Sequence, residues 1–179
     1  GIRSMTIHRP DNYVITESTY YLKTHLKDDR NHTIIMDEFG VYDCPKSITR
    51  VLRTSCRLNG IKMERVRAQS KRYFSNTVHK QPLVLAYHHN LPVAFISVYS
   101  PRNNNNIWIN CNSIINILPS EDNDTIVTFP NFEQINLPVQ YQAFCGLYVR
   151  ALFFQKYLRK EMPMSPNSNR NCRTSLRLH

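Results

Sequence analysis

Between Tyr13 and Leu137, short runs of β-forming residues recur, each closed by a polar, turn-forming cluster. That spacing restricts the chain to a mainly-β architecture. Tyr13-Val14-Ile15, Tyr20-Tyr21-Leu22 and residues 32–36 open the series, with the charged turn Lys27-Asp28-Asp29-Arg30-Asn31 before the third run. A turn near Glu38-Phe39-Gly40 leads into Val41-Tyr42 and predicts a hairpin. Residues 83–87, the turn His88-His89-Asn90 and residues 91–98 predict a second, buried hairpin, with Pro92 near a strand start. Strands are expected again at Ile107-Trp108-Ile109, 113–118, 125–129 and near 134–137, around a polar loop at 100–106 and an acidic turn at 121–124.

Two stretches break this rhythm with helical spacing. After Pro45, Ser47 is placed to cap a helix near 46–59. Its Ile48, Val51, Leu52, Ser55 and Cys56 recur at i, i+3, i+4 intervals, and Gly60 is a natural stop. On the opposite face, Arg50, Arg53 and Arg57 lie within roughly 60° of one another at about 100° per residue. Residues 65–74 are polar and basic and read as a strand edge or loop. Pro138 starts a second helix near 139–160, with Phe144, Leu147, Tyr148, Ala151 and Leu158 on one face. Val149, Phe153 and Tyr157 line its other side, to meet a second protomer or to be buried within the chain. The predicted class is therefore α+β, mainly β: antiparallel sheets, sandwich- or barrel-like, with one central basic helix and a C-terminal helix. Residues 1–4 before Met5 read as a tag remnant, 5–161 as a single domain, and 162–179 as a flexible basic tail.

Charge narrows the function. The net charge is +10, and residues 46–80 hold ten Lys/Arg against one acid, Glu64, so this window carries +9 of it. Such a block is the footprint of a polyanion binder, drawn to nucleic acid by steering and counterion release. The alternative is a solvated, solubilising face. An arginine stripe without interleaved acids has no i,i+4 ion-pair support and repels itself, which favours phosphate contact. Arg50, Arg53, Arg57, Lys62, Arg65, Arg67, Lys71, Arg72 and Lys80 are the candidate contacts.

Other chemistries find little footing. The five cysteines are scattered and never form a CxxC pair, which argues for reduced thiols and against a disulfide framework or a zinc site. His88 and His89 are adjacent and would point to opposite faces of a strand, so a turn role is expected rather than a shared ion. No P-loop, Rossmann, HExxH or GxSxG pattern occurs, and four glycines leave little for phosphate-cradling loops. Cys56 with a distant His and Asn is explained by burial in the first helix. We therefore expect no enzyme, no cofactor and no metal. No secretory signal follows Met5 and no apolar run approaches about 18 residues, so a cytoplasmic protein without membrane contact is expected.

Ser55-Cys56-Arg57-x-x-Gly60, then His79-Lys80-x-Pro82, then Trp108-Ile109 follow one another in an order that resembles the ComK competence factors. The resemblance continues through Asp124-Thr125-x-Val127-Thr128-Phe129-x-Asn131, Leu137-Pro138-Val139-x-Tyr141-x-x-Phe144 and Arg150-Ala151, and covers roughly residues 13–158. The chain departs from the family's pattern in having Asn105-Asn106 before Ile107-Trp108, and Asn131-Phe132 at a usual Asn-Gly turn. The resemblance implies an activator of DNA-uptake genes that binds double-stranded DNA at paired A/T-rich tracts, largely through the minor groove. It also implies dimers associating into tetramers, work with RNA polymerase, and degradation through an adaptor and a Clp-type protease. Arg102 matches an arginine in the family's corresponding loop and is expected to enter the minor groove with Asn103 and Asn104 alongside; a plain solvated connection is the alternative. The competing functions are a regulatory protein-interaction module with a basic face, which would not bind DNA, and a nuclease.

Overall fold

A computed structural model describes residues 7–8 and 12–161 of the chain. The stretches read as a tag remnant (1–4) and a basic tail (162–179) lie outside the described residues. Seven strands form one sheet: β1 (Ile7–His8), β2 (Thr19–Lys27), β3 (Arg30–Asp37), β4 (Gly40–Cys44), β5 (Leu83–His88), β6 (Leu91–Ser97) and β7 (Ile107–Asn110). Their order is β1-β4-β3-β2-β7-β6-β5, antiparallel throughout except for the β1–β4 pair. A second, antiparallel sheet has the order β10-β9-β8, from β8 (Asn116–Pro119), β9 (Thr125–Thr128) and β10 (Gln134–Leu137). The mainly-β α+β class holds, with two sheets and no closed barrel.

Turn chemistry sets the register of the hairpins. Asp28 and Asp29, at φ 50° and 59°, make the two-residue turn between β2 and β3. This left-handed turn matches strand twist, and a short polar side chain tolerates it. His89 and Asn90, at φ 49° and 64°, join β5 to β6 in the same way. Of the paired histidines, expected together in the turn, only His89 is a turn residue; His88 ends β5 opposite Leu91, with its Nδ1 3.5 Å from Glu17 Oε1.

Among the described residues three α-helices complete the fold, with a short 3-10 turn at Cys111–Ser113. In α1 (Ile48–Leu58) the side chain of Ser47 accepts from the Arg50 amide, and the residues predicted to face inward are the buried ones. The helix ends as Gly60, at φ 74°, turns the chain. Ile61 N then donates to Cys56 O and Gly60 N to Arg57 O, satisfying the last carbonyls. Residues 65–74, read from sequence as a strand edge or loop, are instead most of a helix, α2 (Met63–Phe74). Its inward seam is narrow, only Met63, Val66, Ser70 and Phe74, and the Ser70 hydroxyl is satisfied by donating to Pro82 O at 2.7 Å. The C-terminal helix, α3 (Tyr141–Glu161), begins three residues after Pro138 and buries Phe154 and Gln155 besides Phe144, Leu147, Ala151 and Leu158.

Alternation along the strands divides the interior into two cores. Leu22, Ile35, Phe95 and Trp108 point to one face of the large sheet and pack under α1 and α2. Tyr21, Met36, Ala94, Ile96, Ile107 and Ile109 point to the other, covered by the small sheet and α3. There the Phe129 ring stacks 5.8 Å from Tyr20 and lies 5.3 Å from Tyr21. Residues 13–15, expected as a strand, run alongside instead, held where Ile15 N donates to the buried Ser55 Oγ at 2.8 Å.

Candidate nucleic-acid interface

Because α1 and α2 lie on the same face of the large sheet, their outward sides open to the same half of the surroundings. Arg50, Arg53 and Arg57 are exposed on α1, and Lys62, Arg65, Lys71 and Arg72 are exposed at the start of α2 and along it. Arg67 and Lys80 are half-buried. Glu64, in the first turn of α2, is the one acid in either helix, and acids there complement the helix dipole. The two helices therefore present an almost unrelieved positive surface.

The predicted basic residues nevertheless divide. Arg67 and Lys71, one turn apart, line a groove of about 370 Å³ together with Ser75, Asn76, His79 and Pro101. Arg72 faces the opposite flank of α2, beside Tyr73, Tyr87, Tyr157 and Glu161. Helical spacing makes that division: residues four apart share a side, and the fifth does not. With residues 65–74 read as irregular, neither the division nor the contribution of Ser75, Asn76 and His79 follows from the sequence; the i,i+4 pair Arg67/Lys71 is the available signal.

The Asn-rich loop before β7 is a built structure. Asn106 is fully buried, and its Oδ1 accepts from Tyr99 N at 3.0 Å and from Ile107 N at 2.8 Å. Its Nδ2 donates to Ser97 Oγ at 2.9 Å and to Ser100 O at 3.0 Å. Thr24 Oγ1, from β2, donates to Asn104 O at 2.8 Å. Asn103 N donates to Ser100 O at 2.8 Å, closing a four-residue turn with Pro101 and Arg102 at its centre. Arg102, Asn103 and Asn104 are exposed on this buttressed turn. Pro101 also walls the groove beside Arg67 and Lys71, so the turn abuts the basic surface of α2.

On α3, Val149, Phe153 and Tyr157 are exposed by 46%, 59% and 45%, so most of this apolar stripe is uncovered. Tyr157 is the exception in part: its ring centroid lies 4.9 Å from that of Tyr73 on α2. Nucleophilic chemistry has weak support in the thiols. Burial raises the Cys56 pKa, with Glu64 adding to it, and Cys56 Sγ contacts Met63 Sδ at 3.7 Å. Burial pushes the Cys111 thiol up to about 12. Among the described residues no three or more His, Cys, Asp or Glu side chains gather as a metal cluster would require, and no helix is long and apolar enough to cross a membrane.

The family model described as ComK protein matches residues 10–163 of the 179. No curated protein and no solved structure matches the chain.

Proposed function

The chain belongs to the ComK family of competence-related transcription factors, and from that premise we propose that it is an activator that binds duplex DNA and prefers A/T-rich tracts through the minor groove. The observation that carries this reading is the meeting of two features: a helix pair bearing outward Arg50, Arg53, Arg57 and Arg65, whose Arg67 and Lys71 line a groove, and a hydrogen-bonded turn whose Pro101, next to Arg102, walls that same groove. Phosphate contacts from the helices supply affinity and orientation without reading sequence. Arg102 supplies preference, because narrow A-tract minor grooves concentrate negative potential and attract an inserted guanidinium. Asn103 and Asn104 flank it as short hydrogen-bonding side chains. Pre-organisation matters here: a turn already fixed by Asn106 loses little entropy on binding.

The chain acts on DNA as a dimer or higher assembly in this reading, with Val149 and Phe153 of α3 meeting a second copy and Tyr157 at the margin. Paired target tracts would match paired protomers.

A gel-shift titration with an A/T-tract duplex against a G/C-rich competitor tests the proposal. Wild type should prefer the A/T tract, and Arg102→Ala should bind both duplexes with that preference eroded. Retention of the full preference by Arg102→Ala removes the minor-groove role. A basic face that instead served an acidic protein partner would give no shift with either duplex, and metal-dependent loss of the probe would mark a nuclease.

A further inference from the structure

The groove between the second half of α2 and the Pro101-Arg102 turn is lined by one of two arginines among the described residues whose Nε is buried and unpaired, the other being Arg159 on α3. Arg67 Nε is buried and has no hydrogen-bond partner, although a buried donor left unpaired is destabilising. The Arg67 side chain lines the groove, with its Nε buried behind the part that reaches the surface.

Around it the carbonyls are already engaged. Ser75 O and Val78 O both accept from Gln81 Nε2, at 2.7 Å and 3.0 Å, and Phe74 O accepts from Thr77 Oγ1 at 2.9 Å. Lys71 O accepts from Ser75 N at 2.7 Å. The negative end of the α2 dipole is thereby blunted, and the groove retains donors: Arg67, Lys71, the Ser75 hydroxyl, the Asn76 amide and the His79 ring. No acid lines it. At about 370 Å³ it has room for a sugar–phosphate unit rather than a bare ion.

We infer that this groove is a phosphate-binding subsite that seats one backbone phosphodiester of the bound duplex, with Arg67 and Lys71 as its charged contacts and Asn76 and His79 as added donors. The inference rests on the DNA-binding reading above. It fixes the protein's register on the duplex next to the base step that Arg102 enters, since Pro101 forms part of the same wall. Charge-assisted hydrogen bonds to phosphate from a pre-placed guanidinium are the strong class of such contacts.

The test couples protein and DNA changes. Duplexes carrying a single neutral methylphosphonate, scanned along the backbone beside the A/T tract, are titrated with wild type and with Arg67→Met. One position should weaken wild type about tenfold, and Arg67→Met should weaken the natural duplex by a similar factor and be indifferent to that substitution. His79→Gln, which keeps a donor, should lose only a few-fold. Should Arg67→Met fail to fold, Lys71→Gln replaces it in the same cycle. Wild type that binds DNA without coupling to Arg67 or Lys71 at any position overturns the subsite alone. The same holds if inorganic phosphate stabilises wild type but not Arg67→Met while the backbone scan is flat, which would mark a free-phosphate site. Absence of duplex binding by wild type at low ionic strength overturns the DNA reading as well.

Discussion

Replacing Asn106 by Ala removes a buried amide that accepts from Tyr99 N and Ile107 N and donates to Ser97 Oγ and Ser100 O. The two groups on the donating side lose only net contributions of about 0.5–1.5 kcal/mol each. The amides matter more. Ile107 is buried, and its N–H is stranded at about 1–3 kcal/mol, whereas the half-buried Tyr99 lets water take part of the load. A destabilisation of about 3 kcal/mol follows, and for a chain of this size it should lower Tm by about 6–12 °C. Urea unfolding with an unchanged m-value is the assay for this first half. The second half is functional: the turn carrying Arg102 loses its anchor, so the A/T-over-G/C affinity ratio should fall under conditions where the variant is still folded, although Arg102 itself is untouched. A destabilisation below about 1 kcal/mol would show that the amide does not hold the loop. Full destabilisation with an intact affinity ratio would show that recognition does not depend on the anchoring of this loop.

Phe153, exposed by 59% on α3, should when changed to Asp shift the association equilibrium towards monomer in sedimentation velocity while leaving the fold intact; an unchanged equilibrium removes that face from the interface. Burial by itself would raise the Asp43 carboxyl, but hydrogen bonds from His32 at 2.9 Å and Lys27 at 3.4 Å, with their charges, hold it below the usual carboxylate value. A depressed folded-state pKa contributes stability above the unfolded value of about 4, and that stability is lost as pH falls through the folded one. Asp43→Asn should therefore be less stable than wild type at neutral pH, with the gap closing below about pH 4 in denaturant titrations. A gap independent of pH would point to altered packing rather than charge.

What was legible in the sequence was whatever local chemistry settles. The α1 helix combined a wide apolar seam with a capping Ser47 and a stopping Gly60, so periodicity, start and stop agreed. The turns at Asp28-Asp29 and His89-Asn90 fall inside the polar clusters 27–31 and 88–90 that separate β-forming runs, although their two-residue length is set by the strand pairing. The α2 helix escaped because three apolar residues and a serine make its seam, and Lys62 at its start offers no capping side chain. Its stability comes from packing that a linear reading does not contain. Tyr13 to Ile15 looks like a strand by composition, yet the Ile15 amide donates to the side chain of Ser55, forty residues on, and the Tyr13 hydroxyl bonds Thr19 and Asp37. For the candidate site, the basic window was visible as charge. Its division between the two flanks of α2 required the helix, and the rigidity of the Arg102 turn required Thr24, eighty residues away in sequence. A polar Asn-rich stretch reads as solvated connection until its buried amide is located.

In the proposed complex the outward arginines of α1 lie along a phosphate backbone. Affinity for an A/T-tract duplex, measured against salt concentration for wild type and for the combined Arg50→Gln, Arg53→Gln, Arg57→Gln variant, addresses it most directly. Wild type should show steep salt dependence, and the variant a log–log slope reduced by up to about 2.7, from about 0.9 for each phosphate that is no longer neutralised. Equal slopes for the two proteins, or no binding by wild type at low ionic strength, would contradict it.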